Sequence, residues 1–114
     1  MPRDEHTLLD IANAARMIIS FTQGMTKRTF LKDYKTQSAV LHQLMVIGEA
    51  VKRLSAEFRV KHADIPWTQI AGMRDQLIHA YDTVDIDEVW RTATHDAPIL
   101  LRQVEPLLST KPNP

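Results

Sequence analysis

Between residues 6 and 23, Leu8, Ile11, Ala12, Ala15, Ile18, Ile19 and Thr22 recur at steps of three and four, the spacing of one face of an α-helix. Gly24 stops this first helix, and Thr26 is placed to cap a short turn through TKRTFLKD. A longer apolar series, Val40, Leu41, Leu44, Ile47, Gly48, Val51, Leu54 and Phe58, predicts a helix from about Thr36 to Arg59, the longest of the chain. HADIPWTQIAG then supplies a stop and a restart. Asp64 lies near the new N-cap, and Pro66 suits the first turn, where its missing N–H costs nothing. In DIDE, Asp85 and Glu88 stand like an N-cap and its return partner. Ile86, Val89, Trp90, Ala93, Ala97, Leu100, Leu101, Val104, Leu107 and Leu108 follow as one stripe, with Pro98 inside it predicting a kink or a break.

No run alternates as a strand would, no segment repeats, and there are only three glycines. Short connections between amphipathic helices imply an all-α fold, an antiparallel helical bundle of about four to five helices with two long ones paired as a hairpin. A chain of 114 residues fits one domain, 1–114, whose last residues, STKPNP at 109–114, are expected to fray.

Composition narrows the function. A hydrophobic fraction of 44% with 25% charged residues is ordinary for a globular domain. Lysine plus arginine and aspartate plus glutamate both total 14, so the formal charge is zero and bulk electrostatics cannot coat nucleic acid; any contact with RNA or DNA is confined to a local site. With no cysteine, disulfides, thiolate nucleophiles and sulfur-ligated zinc drop out. MPRDEHTLLD is charged where a signal peptide needs an apolar run, and no stretch is apolar enough to span a membrane, so the expectation is a cytoplasmic protein.

The stretch with chemistry in it is RDQLIHAY, residues 74–81. An arginine fork matches phosphate oxygens, a histidine can exchange a proton near neutral pH, and a tyrosine offers a hydroxyl that can be modified. On an ideal helix Arg74 and Tyr81 lie about 20° apart, whereas His79 is about 140° from Arg74. Either the helix ends near Ala80 and changes direction, or a second copy of the chain completes the site. The plain alternative is that Arg74 and His79 favour a helix C-terminal dipole and Tyr81 anchors its end.

Other polar and aromatic positions are further candidates. Glu49 interrupts the run LMVIGEAV and can either pair with Arg74 or sit solvated on a flank; Gly48 before it permits close helix approach. His6, His42, His62 and His95 lack the i, i+3 or i, i+4 partners of a helical metal site, so no metal is expected. Trp67 and Trp90 read as core or interface anchors rather than base-stacking platforms. Residues 27–35 and 52–61 each sum to +3, and 82–88 to −4; the basic segments are either solvated helix ends or contacts for RNA phosphates or a partner, with Lys52 and Arg53 the natural probes.

The order DYKTQSAVLHQLMVIGEAVKRL, then IPWTQIAGMRDQLIHAYDTVDIDEVW, resembles the HepT-like branch of the HEPN (higher eukaryotes and prokaryotes nucleotide-binding) superfamily, and the likeness runs from the first helix to about Leu108. The resemblance implies a small all-α homodimer acting as the toxin of a type VII-like toxin–antitoxin pair. Active members are metal-independent ribonucleases with Arg and His from two protomers lining one cleft. Their motif of Arg, four residues, His, one residue and Tyr maps without a gap onto Arg74, His79 and Tyr81. The implied partner is an MntA-like minimal nucleotidyltransferase antitoxin that transfers AMP from ATP to Tyr81; ATP serves the partner, and this chain needs no cofactor. The residue after the arginine is typically polar, often Asn. Here it is Asp75, a carboxylate that either orients Arg74 or weakens RNA binding. The rival reading, favoured by zero net charge, is a non-catalytic HEPN subunit that binds nucleotide or scaffolds a nucleotidyltransferase.

Overall fold

The computed structural model describes residues 2–79 and 83–108, and of Pro2, Arg74, Ile78, His79 and Thr83 it describes the backbone alone. The frayed tail expected at 109–114 lies outside the described residues.

Helix α1 (Pro2–Thr22) and helix α3 (Tyr34–Lys52) are the two long elements and pack side by side. They run antiparallel, because Asp4 at the start of α1 reaches Ser55, three residues beyond the end of α3. Between them, α2 (Lys27–Leu31) begins at Thr26, whose hydroxyl accepts the Thr29 N–H at 3.1 Å while Thr29 caps back. Gly24, at φ +79°, makes the turn that separates α1 from this cap. Phe30 of α2 is fully buried and tilts against Trp90 with ring centroids 5.1 Å apart.

The buried face of α1 is wider than the periodic stripe. Asp4, Thr7 and Ala14 are buried as well as Leu8, Ile11, Ala12, Ala15 and Ile18, because α1 is covered on one side by α3 and on another by α8 (Ala97–Val104). Burial of Thr7 and Thr22 leaves no orphan hydroxyl, since each donates to a carbonyl one turn back, of Arg3 and Ile18.

The helix expected from Thr36 to Arg59 is not continuous, and α1, with 21 residues, is the longest instead. Its apolar spacing persists, but α3 stops at Lys52 and α4 (Ala56–Lys61) starts afresh with Ser55 as N-cap, accepting the Phe58 N–H at 3.1 Å. Asp4 makes the break possible: its carboxylate accepts the Ser55 N–H at 3.0 Å and the Ser55 hydroxyl at 2.7 Å. The backbone N–H, and after it the hydroxyl, hold the Asp4 carboxyl below its ordinary 3.8, against the opposing effect of burial.

A depressed carboxyl stabilises the fold above the unfolded pKa and loses that contribution as pH falls through the lower folded value. Asp4→Asn is therefore expected to be less stable than the parent at pH 7, with the gap closing progressively below pH 3.8. Urea midpoints at pH 7, 4 and 2.5 check this; a gap that stays constant with pH would remove the carboxylate from the account.

The second half is more segmented than four to five helices. After α4 come α5 (Trp67–Ala71) and α6 (Met73–Leu77), then a two-residue antiparallel pair, β1 (Ile78–His79) with β2 (Thr83–Val84), in the register Ile78 with Val84 and His79 with Thr83. Pro66 occupies the N-cap of α5 rather than its first turn, and neither it nor Asp64 supplies a side-chain cap. Helix α7 (Ile86–Arg91) is capped by Asp85, which accepts the Glu88 N–H at 3.2 Å; Glu88 turns to Arg91 rather than back to the cap. The chain then passes through a π turn (Thr92–Asp96) into α8 and a 3₁₀ turn (Glu105–Leu107). Pro98 falls in the first turn of α8, directly after the π turn, so the stripe continues through it with Val89, Ala93, Ala97, Leu100 and Val104 all buried. The fold is all-α, with the β pair as a local clasp.

Candidate functional site

The segment carrying the motif is positioned from two sides. On one, α3 approaches so closely that a Cβ on Gly48 would lie 3.4 Å from the Ile70 carbonyl oxygen and 3.6 Å from that of Ala71, leaving room for a methyl group and little more. On the other, Leu77 is buried to 1% exposure and its carbonyl accepts the Asp85 N–H at 2.9 Å. Gly72 closes α5, its N–H donating to the Thr68 carbonyl at 3.1 Å, and its own carbonyl accepts from Asp75 at 3.1 Å to start α6.

These contacts end the helix at Leu77, three residues earlier than Ala80. The helix changes direction, one of the two alternatives open from sequence, so the 140° separation on an ideal helix does not apply. Arg74 is the second residue of α6, and the backbone of His79 is extended in β1. The side chains of Arg74 and His79, and all of Tyr81, lie outside the described residues.

Asp75 is exposed in the first turn of α6. Glu49 is exposed on α3, and its carboxylate lies 3.6 Å from the Lys52 ammonium. Arg53 lies 3.8 Å from Asp10, and Lys27 pairs with Asp87 at 3.0 Å, so the charge clusters at 27–35 and 82–88 partly neutralise each other. Each of these pairs is at least half exposed and contributes little to stability. Trp67 is buried, donates its indole N–H to the His62 carbonyl at 3.0 Å and packs on Phe58; it is a packing residue, like Trp90. Among the described residues no three His, Asp or Glu side chains converge as a metal site. No described helix is long and apolar enough to cross a membrane.

One feature of this region gives no sequence signal. A cleft of about 310 Å³ opens where α3, α5 and α6 face the π turn and α8. Leu44, Ile47 and Leu100 form its apolar base, and Met73 and Gln76 of α6 line it beside Arg74. At one wall Arg91 is held by three charge-assisted bonds, its Nε to Glu88 at 2.8 Å and its two terminal nitrogens to Asp96 at 3.1 and 2.9 Å. Glu88 and then Asp96 raise the pKa of this guanidinium. Residues five apart lie about 140° apart on an α-helix. The π turn brings Arg91 and Asp96 onto one side, which α-helical spacing hides.

Comparison with known proteins gives the family. Residues 11–107 match the family model described as "Ribonuclease HepT-like". The chain is 45% identical over 100 residues to "Probable ribonuclease HepT" of Thermococcus cleftensis, covering 88% of this chain and 91% of that protein. A protein of Methanocaldococcus jannaschii whose name marks it as a candidate RNase is 41% identical over 101 residues, 89% of this chain and 84% of its own length. A similarly named protein of Caldanaerobacter subterraneus is 40% identical over 107 residues, 94% of this chain and 92% of its own. No solved structure matches.

Proposed function

Because this chain belongs to the HepT-like ribonuclease family, we propose that it is a metal-independent ribonuclease that cuts RNA with the ribose 2′-hydroxyl as nucleophile. The observation that carries the proposal is the ungapped Arg74, His79 and Tyr81 in a family member, with Arg74 on α6 and His79 just past the end of that helix. Attack of the 2′-oxygen on the adjacent phosphorus forms one P–O bond while the bond to the 5′-oxygen breaks. His79 takes the proton from the nucleophile or returns one to the leaving oxygen, and Arg74 holds the negative charge that accumulates on the non-bridging oxygens. The nucleophile is internal to the RNA, so the step requires no metal, and DNA, lacking it, resists.

The finer reading is a toxin that works as a homodimer, with Arg74 and His79 of the two protomers sharing a cleft. An MntA-like nucleotidyltransferase neutralises it by moving AMP from ATP onto the Tyr81 oxygen, with pyrophosphate leaving. The added phosphodiester repels an RNA phosphate and its base blocks entry.

The test uses protein purified with and without a co-expressed nucleotidyltransferase, its intact mass, and an RNase assay in EDTA. Cleavage of RNA only by the unmodified protein, with AMP-sized additions on Tyr81 in the other sample, is the expected result. Cleavage of RNA whose 2′-hydroxyls are all methylated would exclude this chemistry. No addition and no cleavage in either sample would leave the non-catalytic subunit, the reading that zero net charge favours.

A further inference from the structure

We propose that Asp85 is a positioning residue: it pins the segment that carries His79 to the end of the helix that carries Arg74, and so sets how far apart the two backbones are held. The proposal deepens the ribonuclease reading and rests on it for what the two groups do.

Three observations lead there. First, the Asp85 N–H donates to the Leu77 carbonyl at 2.9 Å, the usual length of a backbone hydrogen bond, and Leu77 is the last residue of α6. The bond joins the two ends of the segment 78–84, which in sequence contains both His79 and Tyr81. Second, the pin is anchored in the core on both sides although Asp85 itself is exposed. Leu77 is 1% exposed, and Val89, whose N–H donates to the Asp85 carbonyl at 2.9 Å, is 0% exposed. Third, the Asp85 carboxylate accepts the Glu88 N–H at 3.2 Å and opens α7, so one residue fixes the end of α6 and the start of α7 together.

Arg74 lies on α6 three residues before Leu77, and His79 lies two residues past it, its backbone paired with Thr83 in the β1–β2 register. The chain between them passes through the residue that the pin holds, so slack at Asp85 is slack between Arg74 and His79. A displacement of about 1 Å within a catalytic constellation costs about 10²-fold in rate. The packing of α1 on α3 and α8, by contrast, does not involve Asp85.

The experiment is a substitution series at Asp85, read by kcat and KM on RNA in EDTA and by urea unfolding. Asp85→Asn keeps the N–H and a capping oxygen, and is expected to cleave within about twofold of wild type. Asp85→Ala keeps the N–H and loses the cap. Asp85→Pro loses both at a φ of −82°, near the proline value, and the extended backbone of β2 before it suits a following proline. Its difference from Asp85→Ala therefore isolates the pin. From Asp85→Ala to Asp85→Pro, kcat is expected to fall about tenfold or more and kcat/KM by the same factor, the mark of an interaction used in the transition state. In a His79→Ala background the same exchange is expected to change the residual rate by less than about twofold, because Asp85 acts through His79.

A merely structural role would lower the urea midpoint and reduce the rate in both backgrounds alike. That result overturns the proposal, as does Asp85→Pro cleaving as fast as Asp85→Ala, and either leaves the ribonuclease reading standing. If Asp85→Pro does not fold, Thr83→Gly decides: it weakens the strand opposite His79 and leaves the α7 cap in place, so kcat is expected to fall about threefold, and an unchanged kcat overturns the pin. Wild-type protein that cuts no RNA removes the ribonuclease reading, and the positioning role falls with it.

Discussion

His79→Ala is expected to slow RNA cleavage by about 10²- to 10⁴-fold, the range contributed by one well-placed general acid or base. The rate should be measured in EDTA on unmodified protein, at saturating RNA, so that binding and chemistry separate. Arg74→Ala is expected to lose about 10²- to 10³-fold for a different reason, the removal of a donor to charge that develops only in the transition state. If the two groups act on one phosphate, the double variant should fall little below the worse single variant, since residues of one catalytic unit are not additive. A fully multiplicative double variant would place them in separate sites. Wild-type rates in His79→Ala would end the proposed mechanism outright, because no other histidine lies in the motif.

Leu77→Ala carries the largest expected effect on stability, about 2–5 kcal/mol, the cost of emptying a buried leucine site. For a domain whose whole stability falls in the range of about 5–15 kcal/mol, that is a large fraction. Leu77 is 1% exposed and ends α6, and its carbonyl holds the Asp85 N–H that closes the β pair, so the cavity opens where Arg74 and His79 diverge along the chain. Urea unfolding at unchanged slope gives the stability loss. Activity per folded molecule is expected to fall as well. A loss under about 1 kcal/mol would show the segment collapsing onto the space and would detach the motif's support from this side chain.

Helix α1 and the stripe from Ile86 onward were legible because their apolar residues repeat at the helical period and their partners need only be somewhere opposite. The caps at Thr26 and Asp85 were legible for a simpler reason: each bond spans three residues, so the letters that make it are adjacent in the text. The helical period itself runs on from Thr36 straight through Ser55. Val51, Leu54 and Phe58 keep their spacing across the break, and Ser55, a good N-cap residue, is its local sign. What stabilises that break is Asp4, 51 residues away.

Sequence alone determined the helical class and the approximate place of most elements, and it holds the letters of the candidate motif, because periodicity, capping and residue spacing are local properties of the chain. Tertiary structure decided where helices stop. Asp4 interrupts α3, Asp85 ends α6 at Leu77, the π turn joins Arg91 to Asp96, and the cleft gathers glutamines from three elements. Each of these rests on a hydrogen bond or packing contact that crosses between elements or departs from α-helical spacing, and no pattern read at the helical period contains it.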